Sequence, residues 1–131
     1  PAAVADYSSV IQILPDDQIG YSARCWARAL WGEELEAART DCDHALALSP
    51  HRAGALESRG LLNLRERRWQ DAWNDYDDAV RENPANARVL YGRAIAASHL
   101  NRAADSANDI ASALALDSDV AHIFSDYGVM Q

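Results

Sequence analysis

Lysine is missing from this 131-residue chain: all 12 of its basic residues are arginine. Together with the abundance of alanine, this reads as coding drift in a GC-rich, bacterial genome. A selection of arginine for two-pronged contacts with carboxylates is the alternative. Cysteine occurs only twice, at Cys25 and Cys42, too few for a disulfide framework. No apolar run approaches the roughly 18 residues that a membrane span needs, so membrane insertion is not expected. Positive charge is in deficit as well. A net charge of -8 and an isoelectric point of about 4.8 have the wrong sign for a phosphate backbone, which excludes nucleic acid as an expected partner.

Signatures of catalysis are missing too. There is no glycine-rich phosphate loop, no metalloprotease histidine pair, no calcium-loop spacing and no Gly-x-Ser-x-Gly elbow. Cys42-Asp43-His44 has the composition of a nucleophile with helpers, but successive helix residues diverge by roughly 100° and cannot converge on one substrate. Asp75, Asp77 and Asp78 diverge for the same reason and read as a solvated helix face rather than a cation site. The expectation is a chain with no catalytic residue, no cofactor and no metal. Cys25 and Cys42 fall at helix positions expected to face the interior. The simpler reading makes them two small buried apolar residues; a disulfide within one antiparallel helix hairpin is the alternative, and it would imply an oxidising compartment.

What the chain does contain is itself, displaced by 34 residues. Ala45, Ala79 and Ala113 share this step, as do Leu56, Leu90 and Phe124, then Gly60, Ala94 and Gly128, then Pro50, Pro84 and Ser118. Backwards the step is 35, carrying Ala38, Cys42, Ala45 and Pro50 onto Ala3, Tyr7, Val10 and Pro15. A period in this range is the signature of a solenoid, in which each unit buries its apolar face only against its neighbours. With 49% apolar and 24% charged residues, the chain has the material for a core and is not wholesale disordered.

Each period holds two amphipathic stretches. Leu56, Gly60, Leu61 and Leu64 predict a helix over 53–65, the charged run Arg65 to Arg68 makes the bend, and a second helix follows over 69–82. There Trp69, Ala72, Trp73, Tyr76, Ala79 and Val80 are predicted to face inward, with Asp71, Asp75 and Asp78 on the wet side. Asn83-Pro84 stops the helix. The same scheme predicts helices near 19–31, 35–48, 87–99 and 103–116. Residues 1–13 read as a lone second helix ended by Pro15, and 121–129 as a lone first helix. The organisation is therefore one domain over 1–131. Residues 1–17 close a preceding unit, three full units cover 18–52, 53–86 and 87–120, and 121–131 open a further one. Pro1 in place of an initiating Met reads as a trimmed N-terminus, and the compartment stays open between cytoplasm and periplasm.

The residues Leu56, Gly60, Ala72, Tyr76, Ala79 and Pro84 resemble the tetratricopeptide repeat family. So do Ala38, Cys42, Ala45 and Pro50 one unit earlier, and Leu90, Ala94, Ser106, Ile110 and Ala113 one unit later. The resemblance implies an all-α, right-handed superhelical solenoid of antiparallel hairpins, about eight helices in all. Small residues at the crossing let two helix axes approach closely. Trp26 stands at the crossing position of the first hairpin, which must splay or turn that ring outward. Cys42 and Ile110 replace the usual aromatic, and Ser118 the stop proline.

In such a solenoid the first helices line a concave groove that binds proteins or peptides. The groove-facing positions left over from packing are Arg24, Ala27, Trp31, Glu57, Ser58, Leu61, Arg65, Arg88, Tyr91, Ile95 and His99, with Leu30, Ser98, His122 and Asp126 at their margins. Trp, Tyr and Arg are the residues enriched in binding hot spots. Arg24, Arg65 and Arg88 make this face less acidic than the rest. The expected ligand is a peptide or partner protein with apolar anchors and an acidic group. The family's clamp for a terminal carboxylate, made of Lys and Asn, is not present as such. Two other readings compete: self-association through terminal helices that leave Val4, Tyr7, Ile123 and Phe124 uncovered, and an accessory role in a larger enzyme.

Overall fold

Two amphipathic stretches per period, the second of them stopped by proline at Pro50 and Pro84, leave the chain one regular option. In the computed structural model, which describes residues 2–13 and 18–129, eight helices form and no strand is found among those residues. They are α1 (Ala2–Ile13), α2 (Gln18–Trp31), α3 (Leu35–Leu48), α4 (Ala53–Arg65), α5 (Trp69–Glu82), α6 (Ala87–His99), α7 (Ala103–Leu116) and α8 (Val120–Tyr127). Pro15, the expected stop of α1, lies outside the described residues. Among the described residues no helix is long and apolar enough to cross a membrane.

The helices pack most extensively as three pairs, α2 with α3, α4 with α5 and α6 with α7. Each pair is joined by three residues, one of them in the left-handed region without being glycine: Glu34 (φ 55), Arg67 (φ 58) and Asn101 (φ 61). Each pair then stacks on the next, α3 on α4 and α5 on α6. Alanines at the crossing positions, Ala38, Ala45, Ala72, Ala79 and Ala113, are fully or almost fully buried.

Tyr76 is the wedge of the second and third pairs. Its ring lies so close to α4 and α6 that a Cβ added to Gly60 would stand 2.8 Å from Cζ, and one on Gly92 only 2.4 Å. Glycine is thus required at both positions by the ring between them. In the first pair a covalent link takes this place. Cys25 and Cys42 form a disulfide with a Cα–Cα distance of 5.5 Å, both fully buried. Cys42 precedes Tyr76 by the 34-residue step and Cys25 precedes Gly60 by 35. The expectation of two unlinked buried cysteines is therefore corrected. The assignment of Trp26 to the crossing is corrected too: α2 is one residue longer than α4, Cys25 sits at the crossing, and the Trp26 ring is partly buried against the core and Tyr127.

α8 departs from the pattern. It stacks little on α7, in contrast to α4 on α3 and α6 on α5. Gly128, in step with Gly60, is no crossing residue: at φ 78 it ends α8, with the Val129 N–H donating to the Phe124 carbonyl at 3.3 Å.

Two outcomes follow from the seams. Gly92→Ala should destabilise the fold by about 1–3 kcal/mol, an overpacking penalty, read as a lower urea midpoint; an unchanged midpoint would show that Tyr76 moves aside freely. Reduction of the Cys25–Cys42 bond should cost about 3 kcal/mol from the loop it closes. Equal urea midpoints with and without reductant would remove that bond from the stability of the fold.

Candidate functional site

Charge is placed by the same step as the alanines. Arg24, Arg59 and Arg93 recur at 35 and 34 residues, and so do their partners Asp41, Asp75 and Asp109 at 34. Each arginine grips its aspartate with Nε and Nη2: 2.7 and 2.6 Å in the first pair, 2.9 and 2.8 Å in the second, 2.8 and 2.8 Å in the third. The remaining Nη1 reaches back to the preceding second helix. Arg59 donates to Asp43 at 3.0 Å, Arg93 to Asp77 at 2.9 Å, and Arg24 to the Ser8 hydroxyl at 3.1 Å. The bond to Asp41, Asp75 or Asp109 raises the pKa of each guanidinium against the opposing effect of burial. Burial pushes the Asp75 carboxyl up, while Arg59 pulls it down; the buried Asn63 amide adds a bond at 2.8 Å. Asp75 is thus buried rather than on the wet side, correcting the solvated-face expectation for it. Among the described residues no cluster of His, Cys, Asp or Glu has the geometry for a metal ion.

The ladder stops after three rungs. One step beyond Arg93 stands Tyr127, and one step beyond Asp77 stands Ala111. Nothing in register ties α8 to α7, and α8 lies instead across the first helices of the pairs. Phe124 is buried with its ring 5.1 Å from that of Tyr91 on α6. Tyr127 meets Trp26 on α2 edge-on at 5.7 Å. Arg65, the last residue of α4, closes the arrangement. Its Nε donates to the Ala29 carbonyl, and its Nη2 to those of Leu30, at 3.0 Å, and Tyr127. One guanidinium thereby caps the C-termini of α2 and α8, where helix dipoles favour a cation. Burial lowers the Arg65 pKa, which for a guanidinium still leaves it charged.

Beside α8 the same face stays open as a groove of about 460 Å³. Tyr7, Ser22, Ala23, Trp26, Arg52, Gly54, Glu57, Ser58, Arg88 and Tyr127 line it, drawn from α1, α2, α4, α6 and α8 together with Arg52, which precedes α4. Arg88 donates to Glu57 at 2.7 Å across α6 and α4, which raises its pKa. The Tyr127 phenol, raised by burial, stays protonated as a donor. Arg52 is exposed and forms no ion pair among the described residues. A second hollow of about 560 Å³ lies at the other end, with Leu64, Arg65, Ile95, His99 and Val129 in its wall.

The expected groove residues divide accordingly. Glu57, Ser58 and Arg88 meet in the first hollow, and Arg65, Ile95 and His99 in the second. Leu61 and Ile95 are 1% exposed, and Ala27, Tyr91 and Ser58 are also buried, Tyr91 against α8. Trp31 is 41% exposed. His99 is exposed and stacks on Trp69 at 3.8 Å. Arg24 is corrected out of the groove, because Asp41 and Ser8 take its donors; Arg65, expected to face a ligand, instead clasps the ends of α2 and α8. His122 and Asp126 point to solvent and pair with each other at 3.7 Å. Sequence reasoning missed Tyr7, Arg52 and Tyr127. The Arg–Asp ladder does have a sequence signal, the step of 34 in Asp41, Asp75 and Asp109 with the step of 35 and 34 in Arg24, Arg59 and Arg93. No family model matches the chain.

Replacing Asp75 by Ala leaves the Asn63 amide without its acceptor and Arg59 with Asp43 alone, and should cost about 3 kcal/mol, the low end for breaking a buried pair because Arg59 keeps one partner. Asp78→Ala, on the exposed face of the same helix, is the control. Chemical denaturation giving the same loss for both would dismiss the ladder as a stabilising element.

Proposed function

We propose that this chain is a non-catalytic binding scaffold. In this reading it is a right-handed solenoid of tetratricopeptide-type hairpins, whose first helices α2, α4 and α6 line a concave groove for a peptide or partner protein. The observation that carries the reading is that one hollow draws its walls from α1, α2, α4, α6 and α8 together. No single hairpin could build such a surface, and a helix already rests along part of it. Tyr7 and Trp26 supply apolar contact area, and the exposed Arg52 supplies a cation that makes no ion pair among the described residues. A ligand with an apolar anchor and an acidic group suits that pairing.

Self-association is a second reading, and one observation favours it. Leu46 is buried where α4 packs on α3, whereas Leu114, two steps on, is 41% exposed on α7. The outer face of the last hairpin is thus uncovered.

A photo-reactive residue at Ala23, in the groove, should capture a partner that the same residue at Asp78 on α5 does not. Arg52→Glu should weaken that partner by about tenfold, equivalent to about 1.4 kcal/mol, with helicity unchanged. Equal capture at both positions, or undiminished binding by the Arg52 variant, would defeat the groove reading.

A further inference from the structure

We infer that the partner is an amphipathic helix from another protein, built like α8, and that α8 holds its place until displaced. The inference rests on the groove reading and deepens it. α8 shows what the face accepts: an aliphatic residue (Val120), an aromatic four residues on (Phe124) and a second aromatic three further (Tyr127), with the helix end turned toward a cation. Val120 and Phe124 are fully or almost fully buried, and Tyr127 packs on Trp26 while Arg65 holds its carbonyl. This is recognition of a helix by anchors at helical spacing, with its negative end on a guanidinium.

α8 is also fitted to leave. It lacks the arginine that would bind it to α7, and α7 lacks the aspartate that would receive it. Its link to α7 is only Asp117, Ser118 and Asp119. It has somewhere to go. Phe124 keeps the step of Leu56 and Leu90, so α8 matches a first helix, and the exposed Leu114 face of α7 is where a first helix of the next unit would pack. A displaced α8 therefore covers apolar surface rather than exposing its own.

α8 is an incomplete ligand as well. It carries no acid to Arg52, and its Asp126 is turned to solvent beside His122. A foreign helix of the same build with an acidic residue opposite Arg52 gains a contact that α8 does not make. The described residues of a second copy bring the same α8, without an acid to Arg52, and the whole chain sets a net charge of -8 against -8. The occupant is therefore a different protein.

The test uses a synthetic peptide of residues 117–129 as probe and the full chain as receptor, followed by hydrogen exchange. Saturating peptide should make the chain's own 120–128 amides exchange about tenfold or more faster, while α4 to α6 stay protected. A peptide carrying Phe124→Ala and Tyr127→Ala should have no effect. The chain variant Phe124→Ala, with its own helix weakened as competitor, should bind the unmodified peptide about tenfold or more tighter than the parent chain, since occupancy of the closed state lowers apparent affinity by the open fraction. Should that variant fold poorly, the exchange measurement on the parent chain decides alone. Unchanged exchange of 120–128 overturns the inference. So does a dimer that Phe124→Ala abolishes, which would make the second copy the occupant. A partner captured at Ala23 that leaves α8 protected overturns this inference and spares the groove reading; no capture at Ala23 together with no effect of the peptide overturns both.

Discussion

Three arginines hold this chain in its spacing. Arg24, Arg59 and Arg93 each bind the aspartate of their own hairpin with two nitrogens and reach back to the preceding second helix with a third. A guanidinium is planar, always charged and forked, so it can serve three acceptors in fixed directions; an ammonium could not. The ladder therefore sets both the closure of each hairpin and its distance from the one before. It also gives the absence of lysine a structural counterpart at these positions, whatever the origin of the composition. The apolar seams run beside it and are interchangeable in chemistry. A disulfide fills the seam of the first hairpin, and a tyrosine ring against two glycines fills that of the second and third.

Where the ladder ends, the architecture changes. Tyr127 stands in place of a fourth arginine and Ala111 in place of a fourth acceptor, so no charge pair draws α8 onto α7. α8 turns across α2, α4 and α6 and is fastened by Arg65 at its end. One absence thereby accounts for the uncovered Leu114, the burial of Tyr91 and the pairing of Trp26 with Tyr127.

Much of the fold was legible because it depends on period. The boundaries of α3 to α7 followed from apolar spacing and stop residues to within a residue, and Tyr76, Ala72 and Ala79 were placed in the interior correctly. The candidate site was less legible. Arg24 and Arg65 look alike in sequence, as exposed cations at the edge of a first helix, yet one is consumed by Asp41 and the other by backbone carbonyls from two distant helices. Backbone carbonyls have no sequence signature. Tyr7 and Arg52 enter the groove only because α1 and the turn before α4 meet there.

The sequence by itself determined helices, hairpins and their order, since these follow from spacing of small and apolar residues along one chain. It also contained the ladder, since charges at matching offsets on stacked helices must meet. The tertiary structure alone decided the one-residue shift that puts Cys25 rather than Trp26 at the first crossing, and the course of α8. Both are settled by contacts among residues far apart in the chain. For α8 the course was set by the packing of Phe124 on Tyr91 and Tyr127 on Trp26 and by the clasp of Arg65.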